Sequence, residues 1–353
     1  MRILALPRNA NPYQEALYGE IRRLGIPVAY LGELTRSRTL NVLLLPLEMA
    51  VRRAFGWRVV HLHWVFEFAL PGAGRAPVMR RVAQAFFGLW LRLPRAFGMT
   101  LVWTAHNALP HDRIFHDDVA ARRALVGASD LVIAHSTATL EALEEIGIRP
   151  DRAIVVPVGR SASDAAPAPR TADGTTRLLF FGRVAPYKGV EDLLTALDGV
   201  PDDTRVAVDV VGACDDPTLR RTLTERASRA RHPVKLSLGH VPDGDLAGLL
   251  ADTDAVVLPF RRVTTSSSAI HALDHGRPVI VPDLPALREL PSDATIRYDG
   301  TPQALATTIR DVAAMDDDDR QRRCAAARAY TPPSWAEIAE QTIDGMRRAM
   351  DAR

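Results

Sequence analysis

The chain is poor in lysine, in cysteine and in long apolar runs, and each scarcity excludes something. Its two cysteines, Cys214 and Cys324, are too few for a disulfide framework, and no CxxC or Cys/His spacing suggests zinc. No apolar run reaches the ~18 residues of a spanning helix. Met1 opens directly on an apolar strand, MRILALP, without the basic and apolar regions of a signal peptide. A reducing cytoplasm is therefore expected. Neither GxGxxG nor a Walker sequence is present, which argues against dehydrogenase and kinase chemistry. His135-Ser136 lacks the setting of a nucleophile elbow. Of 44 basic residues only Lys188 and Lys235 are lysine, a bias that fits a GC-rich genome and makes each lysine worth locating.

At 353 residues, with 47% hydrophobic and 24% charged, the chain is globular and long enough for two domains. Its formal net charge of +2 conceals an asymmetry. Residues 1–100 hold fourteen arginines against five glutamates and no aspartate, a net +9. No RNA- or DNA-reading motif organises that excess, so a nucleic-acid partner is not expected.

Short Val/Ile/Leu-rich runs alternate with segments of helical period, the pattern of buried parallel strands and crossover helices. In the first half strands are expected at Ile3–Leu6, Val28–Leu31, Val59–Trp64, Thr100–Thr104, Leu131–Ala134 and Ile154–Val156. Helices fit Tyr13–Leu24, Val78–Leu93, Asp117–Gly127 and Thr137–Gly147, the last with Ser136 or Thr137 as N-cap and Gly147 as stop. Residues 160–176, rich in Ala, Pro, Ser and Asp, read as a linker. The pattern then restarts, with strands expected at Arg177–Phe181, Val206–Val211, Val234–Leu238, Ala255–Pro259, Pro278–Val281 and Thr295–Tyr298. Helices fit Gly189–Leu197, Pro217–Ala230, Asp243–Ala251, Ser267–Asp274 and Pro302–Met315. Domains are thus expected at 1–159 and 177–333, with a closing helix in 334–353. Both are α/β and doubly wound, and ligands of such sheets bind at the carboxyl ends of the strands.

Residues 178–189, LLFFGRVAPYKG, place Gly182, Arg183 and Lys188 on a short loop between a strand and a helix. Helix N-termini present N–H groups and a positive dipole to anions. A guanidinium grips bidentately and an ammonium acts as a compact point charge, so the loop suits a diphosphate. It resembles the donor-binding signature of glycosyltransferases with two facing Rossmann-like domains, the GT-B fold, especially family 4 and its relatives. The likeness extends to Val210-Val211-Gly212, to Gly239-His240-Val241 followed by ADTDAVVLPF, and to SSSAIHALDHGRPVIVPDLPALREL. In the first half VVHLHW, VWTAHN and LVIAHSTATLEALEEIG resemble the family's acceptor-domain strands.

The resemblance implies roles. Arg183 and Lys188 hold the diphosphate of a sugar nucleotide, which is a cosubstrate and leaves no further cofactor required. Ser266, Ser267 and Ser268 offer hydroxyls and amides before the helix carrying His271, and Gly239, His240 and Val241 meet the base. The final helix crosses back to the first domain. The family's usual pair of glutamates would fall on Val263 and His271, so both carboxylates are missing. The serine-rich variant resembles a bacterial exopolysaccharide-type branch described as β-1,4-mannosyltransferases, which is expected to invert. GDP-mannose is then the first donor, with a glycolipid, polysaccharide or natural-product hydroxyl as acceptor. The missing pair also admits a catalytically inactive partner subunit, and the fold a phosphorylase-like enzyme.

Inversion needs a base for the acceptor hydroxyl. His106, His111 and Asp112, after the strand Thr100–Thr104, are candidates, as is Glu67 after VVHLHW. His61 and His63 alternate within a strand, so one is expected to face inward, as a satisfied core histidine. Asp252-Thr253-Asp254 matches a metal-binding DxD signature, but it lies between a helix and a strand, as Asp130 does, and reads as turn acids. Asp316–Asp319 suits a helix N-terminus, and no metal site is expected. Residues 77–98 interleave Arg80, Arg81, Arg92 and Arg95 with Phe86, Phe87, Leu89 and Trp90. They read either as a helix burying Val82, Phe86, Leu89 and Trp90 against the sheet, or as a peripheral contact with anionic lipid that brings a lipid-linked acceptor to the enzyme at the inner face of a membrane.

Overall fold

A computed structural model of the chain describes residues 1–9, 12–71, 76–110, 113–160, 174–239 and 243–353. Two compact units emerge: Met1–Gly159 with Pro333–Arg353, and Arg160–Pro332. Most of the expected linker, residues 161–173, lies outside the described residues.

The first unit is built on six parallel strands, β1 (Ile3–Leu6), β2 (Val28–Tyr30), β3 (Val59–Leu62), β4 (Thr100–Ala105), β5 (Leu131–Ala134) and β6 (Ala153–Val155), in the order β2-β1-β3-β4-β5-β6. The chain reverses its direction of growth between β1 and β3, the position where open α/β sheets bind ligands. The helices are α1 (Pro12–Arg23), α2 (Arg38–Ala54), α3 (Pro77–Trp90), α4 (Leu93–Ala96), α5 (Asp118–Ala128) and α6 (Thr137–Glu145). Ser136 caps α6 by accepting from the Thr139 amide, and Gly147, at φ +71°, follows it. On one sheet face α2, α3 and α5 bury Leu45, Met49, Phe87, Trp90 and Leu125. The other face is covered by α1 and by the returning C-terminal helix.

Two elements differ from expectation. Helix α2 is an addition, and Pro46 sits in its middle, where it removes one N–H from the helical ladder. The expected helix Val78–Leu93 is instead α3 and the short α4. Of the four side chains expected inward only Trp90 is buried; Ala83 and Phe87 join it, while Val82 and Leu89 face out.

The second unit repeats the plan with β7 (Thr176–Phe181), β8 (Val206–Val211), β9 (Val234–Ser237), β10 (Ala255–Val257), β11 (Val279–Pro282) and β12 (Thr295–Tyr298). These are parallel in the order β12-β11-β10-β7-β8-β9, and here growth reverses between β7 and β10. Helices α7 (Val190–Asp198), α8 (Pro217–Ala227), α9 (Asp243–Ala251), α10 (Ser267–Asp274), α11 (Pro285–Arg288), α12 (Pro302–Ala313) and α13 (Asp317–Ala329) complete it. Asp316 caps α13, accepting from the Asp319 amide, so the run of acids serves a helix start.

The last helix, α14 (Trp335–Asp351), opens with a capping box, Ser334 and Glu337, and belongs to the first unit. It buries Ile338, Ile343 and Met346 against α1 and the sheet. Each is worth roughly 1.5–3 kcal/mol of burial. No helix among the described residues is long and apolar enough to cross a membrane.

Candidate active site

In the second unit Gly182, Arg183 and Lys188 follow β7 and Ser266, Ser267 and Ser268 follow β10, the two strands between which the sheet reverses. Gly182 ends β7, at φ +115°, and a Cβ there would sit 3.1 Å from the Ser268 hydroxyl. Gly212 ends β8 so close to Gly182 that any side chain would strike the Gly182 carbonyl. Gly189, at φ +72°, lies against the Pro259 carbonyl, so neither position admits a Cβ without backbone movement. Ser266 is buried and caps α10 through the Ala269 amide at 3.1 Å. Ser267 is exposed and Ser268 half-buried at the same helix start. His271, one turn on, packs edge-on to Phe181 and beside His275.

Lys188 stands in a 3-10 turn between β7 and α7. Its ammonium lies 4.2 Å from the centre of the Phe260 ring and 5.4 Å from that of Tyr187. Burial pushes its pKa down to about 8. Among the described residues no carboxylate pairs with it. The loop under it is held by Arg261, which forks onto the Asp192 carboxylate at 2.7 and 2.8 Å and donates its backbone N–H to the Tyr187 carbonyl. Arg183 differs: it is exposed and paired with Asp215 at 2.9 Å. Gly239 is exposed at the end of β9, while His240 and Val241 lie outside the described residues. Next to Asp215 a depression of about 480 Å³ is lined by Cys214, Pro217, Arg220 and Thr224.

In the first unit His106 lies just past β4 at the centre of a hydrogen-bonded network. Its Nε2 is 3.0 Å from His63 Nδ1, and its Nδ1 is 3.1 Å from His135 Nε2. His135 Nδ1 reaches the Val156 carbonyl at 3.0 Å. His63 Nε2 meets the Tyr18 hydroxyl at 2.6 Å, and that hydroxyl meets His61 Nδ1 at 2.9 Å. His61 Nε2 ends on Thr104 Oγ1 at 2.7 Å. Both His61 and His63 are buried core histidines, not one alone, because residues two apart in a strand share a face. Burial, and then the neighbouring imidazoles, hold His63 and His106 well below the usual imidazole range; burial takes His61 to about 3 and His135 to about 4.

Tyr13 packs edge-to-face with His63, His106, His135 and Trp335, tying the network to α14. Trp64 stacks on His106 with centroids 4.4 Å apart and planes 12° off parallel. Arg122, over the Trp103 ring, donates to the Ala108 carbonyl at 2.7 Å and anchors the loop beyond His106. His111 and Asp112 lie outside the described residues, and so does the side chain of Glu67, whose backbone forms a 3-10 turn, Phe66–Phe68. The sequence held a signal for the network: β3, β4 and β5 are each followed at once by a histidine, in HLHW, TAHN and IAHS.

The fold is GT-B, two Rossmann-like α/β units, and residues 175–315 match the family described as Glycosyl transferases group 1. Among curated proteins the chain is similar to the GDP-mannose:glycolipid 4-beta-D-mannosyltransferase of Xanthomonas campestris pv. campestris, 30% identical over 224 residues. That match covers 64% of this chain and 61% of the relative, so the chain spans less than two thirds of that protein's length. Among solved structures, sucrose-phosphate synthase from Thermosynechococcus elongatus superposes with a TM-score of 0.75 at 16% identity, over 100% of this chain and 99% of its own. Anabaena Alr3699/HepE in complex with UDP gives 0.70 at 17% identity, over 99% and 100%. These two likenesses concern the fold.

Proposed function

We propose that the protein is a glycosyltransferase that moves a hexosyl group, mannose in the first instance, from a nucleoside-diphosphate sugar to the hydroxyl of a glycolipid, polysaccharide or natural-product acceptor. The acceptor oxygen attacks the anomeric carbon, the bond to the β-phosphate oxygen breaks, and its electron pair leaves with the diphosphate while a base takes the hydroxyl proton. GDP-mannose as donor draws on the Xanthomonas relative, whose name specifies it. Direct displacement, and so inversion, draws on the resemblance to the β-1,4-mannosyltransferase branch, the family's usual glutamate pair being replaced here by Val263 and His271. Lys188, Arg183 and the start of α10 supply positive charge for the leaving group, and no metal is required.

The observation that carries this reading is Lys188. A desolvated ammonium with no carboxylate partner among the described residues, beside backbone that only glycine allows, is arranged for a dianionic diphosphate. A thermal-shift panel with GDP, UDP, dTDP and CDP tests it. At least one should stabilise the protein, and Lys188→Ala should weaken that ligand about 10- to 100-fold, the scale of a charge-assisted hydrogen bond. With the Lys188 pKa near 8, binding requires the ammonium. Affinity should therefore be flat up to about pH 8 and fall above it, at most on the order of tenfold per pH unit. Unchanged affinity in Lys188→Ala sinks the assignment. Nucleotide binding without turnover of any donor would favour the inactive partner instead.

The acceptor is proposed to be lipid-linked and the protein to work at the inner, cytoplasmic face of a membrane. Among the described residues, eight of the eleven exposed large apolar side chains lie on α2, its C-cap and α3, which share one sheet face: Leu40, Leu43, Leu47, Val51, Phe55, Val78, Val82 and Leu89. Arg36, Arg38, Arg58, Arg81, Arg92 and Arg95 are exposed around them, and the only carboxylate in residues 36–58 and 77–98, Glu48, is buried. Apolar side chains ringed by arginine suit anionic lipid headgroups. The proposed contact thus extends beyond residues 77–98 to α2.

A further inference from the structure

The histidine network has a direction, and one carbonyl sets it. The Val156 oxygen has no hydrogen to give, so His135 Nδ1 donates to it. A neutral imidazole carries a single N–H, which leaves His135 Nε2 an acceptor. His106 must then donate from Nδ1, and its Nε2 accepts from His63 Nδ1. By the same rule the Tyr18 hydroxyl donates to His63 Nε2, His61 Nδ1 donates to the Tyr18 oxygen, and the Thr104 hydroxyl donates to His61 Nε2. Six hydrogen bonds run one way, and all four imidazoles carry their proton on Nδ1.

Among the described residues, the groups facing these rings are Tyr13 and Tyr18 from α1, Thr104 from β4, Trp64 beyond β3, Trp335 from α14 and the rings themselves. Among the described residues, neither a carboxylate nor a cation moves the pKa of any of the four. Nor do the nitrogens converge on a metal position, since each ring nitrogen is turned to a neighbour, and no group of three His, Cys, Asp or Glu among the described residues could hold an ion. Of the six linked groups only His106 is half-exposed, and the Trp64 stacked on it is half-exposed too.

We propose that His61, His63 and His135 are positioning residues that fix His106 as an Nδ1–H imidazole with both nitrogens occupied, so that it meets a sugar ring as one half of an aromatic stack with Trp64 and not as a proton acceptor. Aromatic faces are electron-rich, and the C–H face of a pyranose complements them. The ligand class rests on the transfer reaction proposed above; the proton arrangement stands without it.

Long-range 1H–15N spectra of the labelled full-length protein test the arrangement. Assigned by single His→Phe variants, His61, His63, His106 and His135 should all show the Nδ1–H form at pH 7, and none should titrate between pH 5.5 and 8. Any of them in the Nε2–H form, or titrating in that window, overturns the proposal. Two variants read the positioning. Gln at 135 can accept from His106 and donate to the Val156 carbonyl, whereas Phe can do neither. For GDP-mannose turnover, His135→Gln should stay within about 3-fold in kcat. His135→Phe should lose about 10-fold or more in kcat at a nearly unchanged KM and gain an acid limb in its pH profile, as His106 Nδ1 is released. Equal kcat and equal profiles overturn it. Trp64→Leu should lower kcat/KM about 10-fold and Trp64→Phe restore most of it; an unaffected Trp64→Leu removes the stack from the proposal. Were wild type inert toward GDP-mannose, the transfer reaction would fail on its own, and the spectra would still judge the proton arrangement.

Discussion

Asp130 and Asp254 perform one task in two places. Each precedes a strand, accepts from the backbone N–H of the neighbouring strand at 2.8 Å, Leu101 and Arg177 respectively, and donates its own N–H back to the same residue's carbonyl. Each is also paired with an arginine from late in the chain, Arg353 at 3.3 Å and Arg320 at 3.5 Å. The acid of the DxD sequence therefore locks strand register. Asp254 and Arg320 are both nearly buried, and removing one partner of such a pair leaves the other uncompensated. Asp254→Ala should destabilise the second unit by about 3–5 kcal/mol in thermal unfolding, with Asp252→Ala within about 0.5 kcal/mol of wild type. Composition and spacing gave that much: an acid at a helix-to-strand turn. They could not give Phe260 beneath Lys188, because a ring and a cation brought together by two loops leave no periodic trace in the chain.

At the level of elements, legibility followed local chemistry. Helices with sound caps, such as α6 behind Ser136 and α14 behind Ser334, stood where their caps put them. Helix α2 did not show itself, because Pro46 interrupts the pattern, and its outward face is as apolar as its inward one: Leu43 and Leu47 lie exposed on the helix that buries Val42 and Leu45. A helix of that kind in water calls for a second environment. Replacing Leu43, Leu47 and Val51 together by serine should abolish co-sedimentation with anionic phosphatidylglycerol vesicles. It should leave Tm close to wild type, since exposed apolar side chains add little to folding. Vesicle binding that survives the triple change would move the contact elsewhere. Neutral phosphatidylcholine vesicles should bind more weakly, and added salt should weaken the anionic interaction.

For the molecule as a whole, the two-unit plan was readable because the alternation of strand and helix stops and restarts, and because the order of motifs, more than any single one, resembles a known family. The reversal points of the sheets were not readable, since strand order leaves no mark in a single sequence. The two units should respond separately to damage. Ile343→Ala on α14 should cost the first unit about 2–5 kcal/mol and lower its unfolding transition. Stabilisation of the second unit by the diphosphate ligand should persist in that variant.

Because α14 belongs to the first unit, that unit is not a continuous stretch of chain. During synthesis its sheet emerges first but lacks the cover of Ile338, Ile343 and Met346 until the whole second unit has been made. The unit that starts first is finished last. Over that interval Val102 and Ile133, on the two strands that α14 packs against, lack part of their cover, an exposure timed by the length of residues 160–332. A fragment ending at residue 159 would leave them so permanently, whereas one that joins residues 1–159 to 333–353 through a short linker would cover them at once.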